Sequence, residues 1–319
     1  MSLDKDLQYL SELDWAYRSS RVLHIANKLD IFTILSRRRI GLKQLAKTCS
    51  AKPDLLEKLL IACCSMGLLK KENTTYRNTE LSLKYLVKGQ KLYQGDIIAH
   101  SASVWHTWHD LENEIYEGEP VVDDEEKHRD FIMGMQNVTL AGRGELFLEN
   151  IDLSGRRKLI DVGGGPGTYC ILACKRYPEL KAIVFDVPET TCMTKEIIEN
   201  EGMEDRVSIH EANWDTDEFG SDYDVVLFSN VLHGENSKAR MKLEKAYESM
   251  VSGGLLVIQD FLLNNDKTGP LKESLFNIMV GTYSKEELLY EISEAGFVKV
   301  KVVVQAEEFG SSWVTAVKR

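Results

Sequence analysis

The sequence predicts an α/β chain in which a doubly wound parallel sheet follows a mainly helical domain carrying a winged helix. Three observations lead there. From residue 158 onward, short apolar runs alternate with helical patterns, as strands and crossover helices do in such sheets. Between residues 42 and 78, two short helical segments precede two strand-like runs that flank a polar turn. The length of 319 residues suits two domains better than one. The expected division is 1–150 for the helical winged-helix domain and 151–319 for the sheet domain.

Composition narrows the function. Apolar residues make up 43% and charged residues 28%, enough for a sizeable core. The net charge is −11, which disfavours a general nucleic-acid binder. That total hides a split: residues 1–90 hold 16 Lys/Arg against 9 Asp/Glu, or +7, and the remainder carries −18. There is no run of 18 apolar residues, and the first residues lack the apolar segment of a signal peptide. The expectation is a cytoplasmic protein that does not cross a membrane. Six cysteines without a C-x-x-C fit free thiols in a reducing compartment better than a disulfide framework or a zinc site.

Residues 4–36 read as one helix, with Leu10, Leu13, Trp15, Val22, Ile25, Leu29 and Leu35 near helical spacing. A short helix over 42–49, a turn at Ser50-Ala51-Lys52 and a second helix over 55–66 follow. Pro53-Asp54 starts the second helix and Gly67 stops it. Residues 68–71 and 76–78 then form a hairpin wing. This order invites a DNA-binding reading, since a recognition helix would project base-contacting side chains. Here that helix carries Leu55, Leu56, Leu59, Leu60, Ile61, Cys63, Cys64 and Met66, with Lys58 its only basic residue. A helix apolar on nearly every side is a packing element. Arg37-Arg38-Arg39, Lys70-Lys71 and Arg77 are scattered over loop and wing.

Residues 81–150 read as mostly helical, with the acidic run 123–126 as a solvated helix start. Helical pitch would stack Trp105 near Trp108 and His106 near His109, an aromatic wall rather than a metal site, for which paired His favour i,i+4 spacing and a nearby acid. No metal is expected. In the second half, strands are expected at 158–162, 182–186, 207–210, 225–229 and 255–260, with helices at 170–177, 190–200 and 239–250. Two late strands, 299–304 and 313–317, have no helix between them and should pair antiparallel at a sheet edge.

The first strand runs into Asp161-Val162-Gly163-Gly164-Gly165-Pro166-Gly167-Thr168. A dinucleotide fingerprint G-x-G-x-x-G would need Gly at 168, where Thr stands. The alternation Asp161, Gly163, Gly165, Gly167 instead strongly resembles the D-x-G-x-G-x-G loop of class I S-adenosylmethionine-dependent methyltransferases, which have a Rossmann-like sheet. Absent side chains let the backbone approach a ligand closely, and with no pyrophosphate to hold, no P-loop lysine is needed. With that cofactor, Asp161 would orient the loop or receive its ammonium. Asp186, about 20 residues past the glycines, would accept both ribose hydroxyls. Asn213 would offer a carbonyl to an adenine amino group and Trp214 a stacking face. Val187 and Ser229, at strand ends, complete the candidate cofactor set.

The order of the two domains resembles the small-molecule O-methyltransferases of the caffeate and acetylserotonin type and their bacterial natural-product relatives. The strongest local matches are residues 159–167, Asp186-Val187-Pro188, Asn230-Val231-Leu232-His233, Gly253-Gly254 and Ala295-Gly296-Phe297. The resemblance implies a homodimer formed through the N-terminal domain and a small-molecule acceptor. It also implies that His233 is the general base, since its H-D-W motif places a histidine here. Phenols ionise near pH ~10 and histidine near ~6.5, so proton removal must be coupled to attack on the methyl carbon. Asp260 stands where the family often has a carboxylate orienting that base. By family position Trp105, Trp108, His109, Phe131, Met135, Phe276 and Met279 would line the acceptor pocket.

Two features depart from that pattern. Gly234-Glu235 replaces the Asp-Trp after the histidine, and the family's second carboxylate has no counterpart between Met279 and Gly281. The expected reaction is methyl transfer to a hydroxyl of a small aromatic or conjugated acceptor. The alternatives are transfer to sulfur, nitrogen or carbon, which need less help from a base, and a ligand-sensing winged-helix regulator with a degenerate domain.

Overall fold

The computed structural model describes residues 4–116 and 124–319. Its described residues group into two compact units, and neither is continuous in sequence: one holds 4–116 and 263–279, the other 124–262 and 280–319. The cut expected at residue 150 divides the chain differently. The helices of 124–150 group with the sheet, because Phe147 and Ile151 are buried among sheet residues.

In the N-terminal unit, α1 (Lys5–Lys28) is capped by Asp4, whose carboxylate accepts from the Asp6 and Leu7 N–H groups. The single helix expected over 4–36 is broken at Asp30, whose left-handed φ of 57° starts the short α2 (Ile31–Ile34). The strand β1 (Ile40–Gly41) leads to α3 (Leu42–Cys49) and α4 (Pro53–Ser65), with Pro53 in the first turn of α4. Gly67, at φ 69°, ends that helix as expected. The hairpin is β2 (Leu69–Glu72) and β3 (Thr75–Asn78); β1 pairs with β3, giving the sheet order β1-β3-β2. That third strand, two residues long, left no pattern in the sequence. Leu56, Leu59, Leu60, Ile61, Ala62 and Cys63 of α4 are buried, so this helix belongs to the core. The helices α5 (Glu80–Tyr85), α6 (Gly95–Ser103), α7 (Trp105–His109) and α8 (Leu111–Ile115) complete this stretch.

The sheet unit opens with α9 (Asp124–Val138), a π-helical turn (Thr139–Arg143) and α10 (Gly144–Asn150). Asp123, the first residue of the acidic run, lies outside the described residues. Then come β4 (Lys158–Val162), α11 (Thr168–Arg176), β5 (Lys181–Asp186), α12 (Pro188–Asn200), β6 (Val207–Glu211), β7 (Tyr223–Ser229), α13 (Ala239–Ser249) and β8 (Met250–Asp260). The chain next forms α14 (Leu271–Met279), which packs on α4 in the N-terminal unit through Leu275. It closes with α15 (Lys285–Glu294), β9 (Val298–Ala306) and β10 (Ser311–Val317) in the sheet unit.

The sheet order is β6-β5-β4-β7-β8-β10-β9. Four parallel pairings join the five strands β4 to β8, and β10 runs antiparallel between β8 and β9, so the expected terminal hairpin lies at one edge. Alternate residues serve opposite faces: Ile160, Val226 and Phe228 pack with Leu243, Leu288 and Ile292, while Leu159, Val225 and Leu227 pack with Phe147, Ala173 and Ile198. Progression reverses between β4 and β7, and ligands bind at the carboxyl ends of strands at such a switch point. No helix among the described residues is long and apolar enough to cross a membrane. All six cysteines are free; Cys63, Cys170 and Cys174 are buried, as expected of core thiols, whereas Cys192 is exposed.

Candidate functional site

A cavity of about 220 Å³ opens at that switch point. Its floor is the turn after β4. Gly163, Gly165 and Gly167 have φ of 71°, 53° and 71°, so every second residue is left-handed, which explains the alternating spacing. At Gly163 a side chain is excluded twice over, since a Cβ would stand 2.8 Å from both the Trp214 ring and the Val231 side chain. Gly163 and Gly165 line the cavity, whereas Gly167 caps α11.

Two buried carboxylates support this floor. Asp186 lines the cavity and accepts from the Gly165 N–H through Oδ2 and from the Val187 N–H through Oδ1, both at 2.8 Å. Burial raises its pKa, and those hydrogen bonds work against the rise. Asp161 is fully buried beneath the loop and does not reach the lining; a Cβ on Gly164 would come within 3.0 Å of it. Burial, then the nearby Asp186 charge, pushes its carboxyl up to about 8. Its Oδ1, like the buried Thr168 Oγ1 and Asn230 Oδ1, has no hydrogen-bond partner among the described residues. Adjacent carboxylates with raised pKa values and orphaned acceptors suit a cationic, polar ligand.

Val187, Trp214 and Ser229 also line the cavity, and Ser229 donates to Gln259 Oε1 at 2.8 Å. Asn213 behaves differently. It is exposed, its Oδ1 accepts from the Asp215 N–H at 2.8 Å, and it is not among the cavity's described lining residues. A local Asx turn thus occupies the carbonyl expected to face adenine.

His233 follows β7. Its Nδ1 donates to Asp260 Oδ1 at 2.8 Å, which leaves Nε2 as the ring's second nitrogen. Asp260, 2% exposed at the end of β8, also accepts from the N–H groups of Phe261 and Leu232. Burial alone would lower the His233 pKa; the Asp260 charge and hydrogen bond outweigh it, so the net shift is upward.

The opposite wall consists of residues that the sequence did not single out, apart from Phe131 and Met135. From α9 come His128, Phe131, Ile132 and Met135, and from the π-helical turn Thr139 and Arg143. His128 Nε2 lies 3.2 Å from Thr190 Oγ1 on α12. Arg143 donates to the Phe309 carbonyl from Nε (3.1 Å) and Nη2 (2.7 Å). The signal available was a π-helical interruption at Gly142, whose φ of 136° breaks an otherwise helical run. Trp105, Trp108, His109, Phe276 and Met279 belong to the N-terminal unit. There Phe276 packs on Trp15 at 5.0 Å, Trp105 meets His24 edge-on, and Trp108 is 71% exposed. Among the described residues, no group of three His, Cys, Asp or Glu is placed to hold a metal.

Residues 98–297 match the family model of the O-methyltransferase domain, and residues 12–88 match the O-methyltransferase dimerisation domain. The chain belongs to the O-methyltransferase family. This methyltransferase is 31% identical to 3-hydroxy-5-methyl-1-naphthoate 3-O-methyltransferase of Streptomyces sahachiroi, over 82% of this chain and 81% of that one. It is 28% identical to acetylserotonin O-methyltransferase of Gallus gallus, covering 95% and 96% of the two chains. In fold it matches an O-methyltransferase family 2 protein of Planctomyces limnophilus, solved in complex with apigenin. That match has a TM-score of 0.84, 24% identity and full coverage of both chains.

Proposed function

We propose that this methyltransferase moves a methyl group from S-adenosylmethionine to a hydroxyl of a small aromatic or conjugated acceptor, with His233 as general base. The observation that carries the reading is the His233–Asp260 hydrogen bond at the strand ends beside the alternating-glycine loop. S-adenosylmethionine supplies an electrophilic methyl on a sulfonium when bound. Asp186 would hold the ribose hydroxyls, Trp214, Val187 and Ser229 would wall the donor, and a cation bound above the loop would draw the buried Asp161 toward its ionised form.

Asp260 fixes the imidazole so that Nε2 is the nitrogen that takes the acceptor's proton. Its charge also stabilises the imidazolium that results. Phe131, Ile132, Met135 and Val138 offer an apolar wall against which a flat acceptor excludes water. A single carboxylate partner for His233 suits an acceptor whose hydroxyl is already acidified by conjugation. The dimerisation domain supports a homodimer, and six unpaired cysteines support residence in the reducing cytoplasm.

The test is a screen with methyl-labelled S-adenosylmethionine, read by mass spectrometry. The acceptors are hydroxynaphthoates, N-acetylserotonin and hydroxyflavones, named after the ligands of the relatives, with matched anilines and thiols. Label on the hydroxyl compounds is expected. Label confined to amines or thiols would overturn the oxygen assignment, and a stable monomer in light scattering would overturn the dimer.

A further inference from the structure

One buried cation has no place in this chemistry. Lys242, on α13, is only 4% exposed. Its ammonium donates to the Ser237 carbonyl at 2.6 Å, lies 3.4 Å from Asp215 Oδ1, and stands 5.5 Å from the centre of the Trp214 ring. A lysine on a helix flank ordinarily extends its head into water, and withdrawing an ammonium from water is costly unless charge and hydrogen bonds compensate. Here the compensation comes from the loop that carries Trp214. Lys245, one turn further along, donates to the carbonyls of Trp214, Asp215 and Asp217, and Lys238 reaches Asp215 Oδ2 at 3.4 Å.

Three lysines from one helix and its start therefore hold residues 214–217. The Trp214 ring they hold lines the cavity and presses on the glycine loop where a Cβ at Gly163 would strike it. The other end of the Lys242 link, Ser237, lies four residues after His233. We propose that Lys242 is a positioning residue: it fixes the Trp214 ring as a wall of the donor site and ties that wall to the segment following His233. This rests on the reading of the cavity as the methyl-donor site.

The test is calorimetry of S-adenosylhomocysteine binding to the full chain, alone and in a Trp214→Ala background, with steady-state kinetics beside it. Lys242→Met should raise the Kd about tenfold and the donor KM in step, a size suited to a desolvated cation over an aromatic face. Its kcat and acceptor KM should stay within about twofold. In the Trp214→Ala background the same substitution should add less than about twofold, because the lysine acts through the ring. An equal loss in both backgrounds, or wild-type affinity in Lys242→Met, overturns the proposal while the donor reading stands. Should Lys242→Met fail to fold, Asp215→Asn loosens the same link from its half-exposed side and should raise the Kd about threefold; wild-type affinity there overturns the proposal too. Wild-type protein giving no binding heat overturns the donor reading and this proposal with it.

Discussion

Where β4 and β5 end, the cavity is shaped by main chain: two left-handed glycines, Gly163 and Gly165, and a carboxylate that accepts two backbone N–H groups. Across from them, at α9 and the π-helical turn, it is shaped by side chains standing on one face of a helix. The contrast teaches what each half can tolerate. A main-chain surface admits few residue types, since a Cβ collides or the dihedral is strained. A side-chain wall can be repacked with other apolar residues at modest cost. The donor half should therefore fail abruptly when altered, and the acceptor half should change its preferences by degrees.

Four measurements test that contrast. The largest effect is expected at His233, the proposed base, which follows β7 and is not among the cavity's described lining residues. His233→Ala should lower kcat by ~10²–10⁴-fold, the usual worth of a general base, and leave the S-adenosylhomocysteine Kd within about twofold. Wild-type turnover in that variant would remove the base assignment. Next, Asp186→Ala orphans the Gly165 and Val187 N–H groups and removes the carboxylate proposed to hold the ribose. A loss of about 2 kcal/mol, or some 30-fold in affinity by calorimetry, is expected.

Gly142→Ala tests the acceptor wall at its one main-chain constraint. Its Cβ would lie 2.4 Å from the Phe309 ring at a φ of 136°, so about 1–3 kcal/mol of stability should go, read as a lower Tm. Unchanged melting would show that the turn relaxes freely. The smallest effect is a shift of a pH limb. With its pKa raised by Asp260, His233 is a free base only above that raised value, so activity should climb with pH through it. Asp260→Asn should move the limb to lower pH while reducing kcat. The same shift has a stability sign. The ion pair supports the fold fully below the unfolded histidine value of ~6.5, and that support is lost as pH rises through the raised folded value. An unmoved limb would mean that Asp260 does not govern this titration.

The sequence reading succeeded where physics restricts the choice of residue. Strand β4 came out at 158–162 as expected, because a strand buried on both faces is mostly apolar, as Leu159, Ile160 and Val162 are here. The glycine loop was legible for the same kind of reason, whereas the pairing of His233 with Asp260 was implied by the family resemblance alone. Reading failed where several solutions serve equally well. His128, Ile132 and Arg143 look like ordinary helix residues until the fold turns them toward the glycines. Asn213 satisfied its own turn, because an amide beside a free N–H bonds locally before it bonds a ligand. Lys242 carries no mark in the sequence, since only the fold reveals a lysine turned inward.

The discontinuity of the two units bears on how this protein can be handled and how its parts can be exchanged. After β8 the chain lends α14 to the N-terminal unit, and α9 and α10 precede the sheet they belong with. A fragment starting at residue 151 would lack the helix that walls the cavity. It would also carry Leu275 with no α4 to cover it. A single scissor cut therefore yields two incomplete pieces, and swapping acceptor preference between relatives calls for exchanging 124–143 in place rather than grafting whole halves.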